Sequence, residues 1–172
     1  DFHVGKDPAC PAFVILPTNK AADGSKPWVW FAPVLRDKYP NTWHDWLFSR
    51  LLNAGFAVAG VDIGESWGNP DGRKQFTAFY DQVVKDYGLS AKPCFLAQDR
   101  GALMILNWAV EHPKTVQCIA GIYPVCKITD GPFFARMYRL GADPEDEKQN
   151  EAALTENFKN QNPLDRLAPL AA

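Results

Sequence analysis

Apolar residues come in two alternating kinds of run along this chain. Short blocks at 12–16 and 28–32, bounded by Pro, Gly and Lys, have the length of strands rather than helices. Residues 20–26, rich in Ala, Gly, Asp and Ser, read as the loop between them. Trp43, Trp46, Leu47, Leu51 and Ala54 then recur at helical spacing. Thr42 and Asp45 stand as a variant capping box at the start of that helix, and Gly55 stands where a left-handed end belongs. Residues 56–62 form a nearly continuous apolar run closing on a carboxylate, the pattern of a strand buried on both faces of a parallel sheet.

After a Gly/Asn/Pro/Asp turn at 68–72 the alternation repeats. Phe76, Phe79, Tyr80, Val83, Val84 and Tyr87 mark one long helical stripe closed by Gly88. A strand at 93–97, a helix at 100–111 and a strand at 117–122 follow. Strands alternating with helices predict an α/β protein, with a mostly parallel sheet, right-handed crossovers and helices on both faces. Beyond Pro124 the pattern weakens to two shorter, more polar helices at 133–140 and 146–159, then a turn at Asn162-Pro163. No further strand is expected.

Composition narrows the function. Of 172 residues 47% are apolar and 13% aromatic, and 18 basic residues nearly balance 20 acidic ones, which excludes disorder and points to a single globular domain. With a pI near 5.9 and no Lys/Arg block, the basic stripe that binds nucleic acid is missing. No apolar run reaches the roughly 18–20 residues that cross a bilayer. The N-terminus has neither an initiator Met nor a basic leader region, so the compartment stays open. Four cysteines (Cys10, Cys94, Cys118, Cys126) fall short of a disulfide framework, none sits in the C-x-x-C spacing of a metal or redox site, and they read as buried or unremarkable thiols. No G-x-G-x-x-G or phosphate-loop motif follows a strand, and no cofactor is expected.

Ligands of an open parallel sheet gather at the carboxyl ends of its strands, which directs attention to the turn after 93–97. There the chain passes from strand to helix through Ala97-Gln98-Asp99-Arg100-Gly101. Small residues two before and two after the centre are what a strained nucleophile-elbow turn requires, since larger ones would clash. The helix N-terminus favours negative charge beside it, so Asp99 is the candidate nucleophile. The plainer reading makes Asp99 the helix N-cap, worth about 1 kcal/mol.

The segment 95–126, FLAQDRGALMILNWAVEHPKTVQCIAGIYPVC, resembles the nucleophile-elbow region of the α/β-hydrolase superfamily. Residues 28–34 resemble the strand whose following loop supplies an oxyanion donor, 57–64 the next strand, and 162–170 the return from a lid to the sheet. The likeness is to an esterase branch with a G-x-S-R-G-G elbow, Asp99 standing in place of the serine. Asp99-Arg100-Gly101-Ala102 is also similar to the elbow of fluoroacetate dehalogenases, whose second arginine is here Leu103, while haloalkane dehalogenases carry Trp at the place of Arg100.

The resemblance implies cleavage of an ester or carbon–halogen bond in a small-molecule substrate. It also implies backbone oxyanion donors at Arg100 and Val34, because Pro33 has no N–H. Gln98, Glu65 and Trp67 would line the same crevice, and 127–162 would form a lid segment carrying Phe133, Phe134 and Tyr138. Ser66 has no neighbouring base.

The superfamily order is nucleophile, acid, histidine, and the chain stops before the strands that carry the last two. His44 and His112 read as structural and His3 as part of a loose terminus. The 172 residues are therefore expected to be an incomplete domain whose last strands are missing, to be completed by further chain, a second polypeptide or an oligomer. A binding or scaffold protein that kept the fold without catalysis is the other reading.

Overall fold

The computed structural model describes residues 1–5, 9–19, 21, 24–32, 42–64, 66–127 and 162–171. Six strands form one sheet: β1 (Phe2–Val4), β2 (Cys10–Ile15), β3 (Trp28–Ala32), β4 (Ala57–Val61), β5 (Cys94–Gln98) and β6 (Cys118–Ile122). Their spatial order is β1-β2-β4-β3-β5-β6. β4, β3, β5 and β6 run parallel, while β2 is antiparallel to β4 and to β1. The helices are α1 (Asp45–Asn53), α2 (Pro70–Tyr87) and α3 (Gly101–Glu111). The predicted class, mostly parallel with helices on both faces, is the observed one.

β3 lies at the centre and is buried from end to end. Its alternate side chains serve two cores. Trp28 and Trp30 face α2 and α3, whereas Val29 and Phe31 pack with Phe48 of α1. Trp30 is the hub of the larger core: its ring centroid lies 5.0 Å from those of Phe79 and Trp108, 5.3 Å from Phe76 and 5.6 Å from Phe95. Aromatic stacking of this kind adds to the burial of large apolar surfaces. α3 is buried along its whole length from Gly101 to Val110, with the single polar side chain Asn107 among its apolar ones.

The structure corrects the sequence reading at three termini. His3 is not in a loose end but in β1, paired with Pro11, because residues 2–4 add an outer strand to β2. Thr42 does not cap α1: it sits in a short 3₁₀ turn, and the N-cap is His44, which makes no side-chain cap bond. α2 begins inside the expected turn. Asn69 accepts a hydrogen bond from the Gly72 N–H at 2.8 Å and Pro70 takes the first helical position, where its missing N–H costs nothing.

The expected helix ends are present. At Gly55 (φ 88°) the Gly55 N–H donates to Leu52 O and the Phe56 N–H to Leu51 O, both at 3.0 Å, the pair of bonds that satisfies a helix's last carbonyls. Gly88 (φ 62°) ends α2. Among the described residues β6 is the outermost strand on its side, exposed along almost its full length, and no strand follows it. The expected helices at 133–140 and 146–159 lie outside the described residues.

His44 fills the gap between the sheet and α1, its ring 4.7 Å from Phe31 and 5.6 Å from Phe48, with Nδ1 buried and, among the described residues, without a hydrogen-bond partner. Burial holds its pKa below the usual 6.5, with nearby Asp45 acting weakly the other way. A base buried in neutral form binds fewer protons folded than unfolded, so its contribution to stability is present above that value and is lost as pH falls below it. His44→Phe, which keeps the ring and removes the titration, should lose less stability than wild type between pH 7.5 and pH 5 in urea denaturation; equal losses in the two proteins contradict the assignment.

Candidate active site

Gln98 ends β5, half-buried and in register with Ile122 of β6. The next residue, Asp99, has φ 49°, in the left-handed region that few side chains other than Asn and Asp tolerate. Arg100 is already helical (φ −65°, ψ −22°), and α3 starts at Gly101. Three backbone hydrogen bonds hold Asp99 in this state. Its N–H donates to Ile122 O at 3.1 Å, and its carbonyl accepts from Ala102 N–H at 3.1 Å and Val125 N–H at 3.0 Å.

Ala97 and Ala102 are fully buried on either side of the turn. The side chain of Asp99 is thrown outward, 60% exposed. The plain cap reading does not describe it: the N-cap position belongs to Arg100, and no hydrogen bond from the helix's first turn to the Asp99 carboxylate is seen among the described residues.

Among the described residues the carboxylate has one charged neighbour, the Arg100 guanidinium, with Nε 3.8 Å from Oδ2. That guanidinium lies over the indole of Trp67, 5.3 Å from its centroid, a cation–π contact. Trp67 is 5% exposed, so it acts as the buried floor beneath Arg100 more than as an open wall. Its loop is pressed onto α3. At Gly68 (φ 78°) a Cβ would come within 2.5 Å of Leu103 O and 2.6 Å of Asn107 Nδ2, so only glycine lets the loop approach. Ser66 is buried, and its Oγ accepts a long 3.4 Å bond from the Gly68 N–H. Val34 and Glu65 lie outside the described residues, as do 128–161 of the expected lid with Phe133, Phe134 and Tyr138.

An ion cluster that the sequence did not disclose ties the far end of α3 to its neighbours. Glu111, the last residue of α3, meets Arg73 of α2 through Oε2 and Arg166 through Oε1, each at 3.0 Å. Arg166 also donates to Asn107 Oδ1 at 3.2 Å, and Arg73 to Gly68 O at 2.5 Å. The Leu164 N–H donates to Cys126 O at 3.4 Å, so the chain at 164–166 rejoins the body beside the exit from β6. Spacing could not show this: the partners are 38 and 55 positions apart in the chain, at 73, 111 and 166.

None of the three histidines touches the Asp99 carboxylate. His3 is on the outer strand β1 and His44 is wedged between Phe31 and Phe48. His112 stacks on Trp108 with centroids 4.2 Å apart and pairs Nδ1 with Trp108 O at 2.9 Å, past the far end of α3. Among the described residues no group of three or more His, Cys, Asp or Glu is arranged to hold a metal ion, and no helix is long and apolar enough to cross a membrane.

The mostly parallel sheet flanked by helices has the α/β-hydrolase fold, as its likeness to solved structures shows. Solved structures of that fold superpose on most of this chain. Oligopeptidase B from Trypanosoma brucei matches with a TM-score of 0.63 and 12% identity, over 92% of this chain and 25% of its own. A puromycin-hydrolyzing peptidase of Mycobacterium tuberculosis matches at 0.63 and 14%, over 94% of this chain and 27% of its own. Est1E from Butyrivibrio proteoclasticus matches at 0.61 and 14%, over 94% of this chain and 73% of its own. This chain thus spans about a quarter of the two peptidases. No protein-family model matches the sequence, and no curated protein is similar to it.

Replacing Glu111 with Gln leaves the shape and removes the charge that both arginines share, one of them with a side chain only 10% exposed. Glu111→Gln should lower unfolding stability by about 1–3 kcal/mol. A urea midpoint equal to that of wild type would show that the cluster carries no weight.

Proposed function

We propose that this chain is part of an α/β-hydrolase-fold hydrolase that opens an ester or carbon–halogen bond of a small-molecule substrate, with Asp99 at the nucleophile position. The observation that carries the reading is the combination at residue 99: a left-handed backbone and an outward carboxylate at the carboxyl end of a parallel strand paired on both sides. A nucleophile elbow uses that placement, and the hydrolytic names of two structures sharing the fold, the oligopeptidase and the puromycin-hydrolyzing peptidase, agree with it.

In the carbon–halogen case a carboxylate oxygen of Asp99 attacks the carbon, the carbon–halogen bond breaks, halide departs with the electron pair, and an ester to Asp99 remains. With an activated ester the same oxygen attacks the acyl carbon and the alkoxide or phenoxide leaves, forming an acyl anhydride. The backbone N–H of Arg100, at the start of α3, would stabilise negative charge on the acyl oxygen, with Val34 as the second donor. Gln98, Trp67 and Glu65 would border the substrate, Trp67 by fixing the Arg100 side chain. Release of the covalent product needs a base that activates water, worth about 10²–10⁴ in rate.

A second reading is favoured by one observation, that all three histidines are engaged away from Asp99. On that reading the fold serves binding, and the exposed carboxylate recognises a cationic or hydrogen-bonding ligand without reacting.

Incubation with haloacids and activated esters, followed by intact mass measurement and peptide mapping, separates the two. The hydrolase reading expects a covalent adduct on Asp99 that Asp99→Asn abolishes with little change in stability. Absence of an adduct with every probe supports the binding reading.

A further inference from the structure

Cys94 opens β5 and Cys118 opens β6, and the two are direct register partners in adjacent parallel strands. Partners in such a ladder project from the same face of the sheet, and neighbouring strands lie about 4.7–4.9 Å apart. That separation falls within the Cα range of disulfides, about 4.4–6.8 Å. Both thiols are reduced here. They differ in access: Cys94 is half-buried against the core on the α1 side, and Cys118 is exposed on β6. Burial, with the facing Cys118 sulfur acting the same way, pushes the Cys94 thiol up to about 12. The other two cysteines have different surroundings. Cys10 is buried and its thiol is pushed up by burial and by Asp62, while the Cys126 thiol donates to Pro124 O at 3.7 Å.

We propose that Cys94 and Cys118 form a dithiol modification site that a small-molecule disulfide oxidises to a reversible bridge between β5 and β6. The exposed Cys118 reacts first: its thiolate attacks one sulfur of the reagent, the reagent's S–S bond breaks, and one thiolate leaves. Cys94 then gives its proton to water and attacks the Cys118 sulfur, expelling the second reagent thiolate. Two protein thiols are oxidised, the reagent disulfide is reduced to two thiols, and nothing else is consumed. The accessible cysteine receives the oxidant and the sheltered one resolves it. The bridge ties β6 to the strand that leads into Asp99, at the end of β5 opposite the carboxylate, so labelling of Asp99 is independent of it.

The test uses the reduced full chain and oxidised glutathione, with remaining thiols alkylated after denaturation and the products mapped by mass spectrometry. Wild type should become lighter by two hydrogens, keep no glutathione, and yield one cross-linked peptide joining 94 to 118, with Cys10 and Cys126 alkylated. Cys94→Ser should retain glutathione on Cys118, and Cys118→Ser should leave Cys94 alkylated. Dithiothreitol should restore both thiols in wild type. Cross-linking should be faster in the folded chain than in urea by more than about tenfold, because the strands supply the effective concentration. Glutathione stably retained on Cys118 of wild type beside a free Cys94 would overturn the proposal. Pairing with Cys10 or Cys126, or equal rates folded and unfolded, would do the same.

Discussion

The chain has to leave a doubly buried strand and enter a fully buried helix within two residues. β5 packs between β3 and β6, with Phe95, Leu96 and Ala97 buried, and α3 is buried from its first residue. Neither element can shift to ease the turn, so the whole change of direction falls on Asp99 and Arg100. A left-handed backbone at Asp99 makes it, and the bonds from Asp99 to Ile122, Ala102 and Val125 hold it. With the flanking positions occupied by buried small residues, the one side chain at the apex has only the outside available. Its exposure is therefore a consequence of packing.

The surroundings of that apex follow from the same packing. Trp30 gathers rings from α2, β5 and α3 into one core, which fixes α3 against the sheet. α3 in turn receives the loop at Gly68, which presses Trp67 under the Arg100 guanidinium. At its far end Glu111 gathers Arg73 and Arg166, so the last described stretch of chain is anchored to the helix that begins at the turn. Residues that never touch Asp99 thus decide where its carboxylate stands.

Much of this was legible in the sequence where the signal is local and periodic. β3, β4, β5 and β6 showed themselves as short apolar blocks, α3 as a longer one, and the small–Asp–small frame at 97–101 announced a strand-to-helix turn. What escaped depends on partners distant in the chain. β1 is too short to show periodicity and exists through its pairing with β2, and the antiparallel direction of β2 is set by its neighbour β4. Asn69-Pro70 carried an N-cap and first-turn signal that the surrounding glycines made look like a turn. The arginine cluster and the facing of Cys94 with Cys118 are products of register and docking, for which spacing holds no trace. Which of the four cysteines is exposed was equally hidden: Cys118 is, on β6, an outer strand among the described residues.

The central claim is a backbone conformation, and comparing two side chains at the same position measures it. In a left-handed residue a Cβ costs about 1 kcal/mol or more, whereas in ordinary helical or extended geometry glycine is the less stable choice by about 0.5–1 kcal/mol. Urea denaturation of Asp99→Gly beside Asp99→Ala should therefore find the glycine variant the more stable by about 1 kcal/mol. An alanine variant as stable as the glycine variant, or more so, would mean that the chain does not turn at Asp99 in the way described.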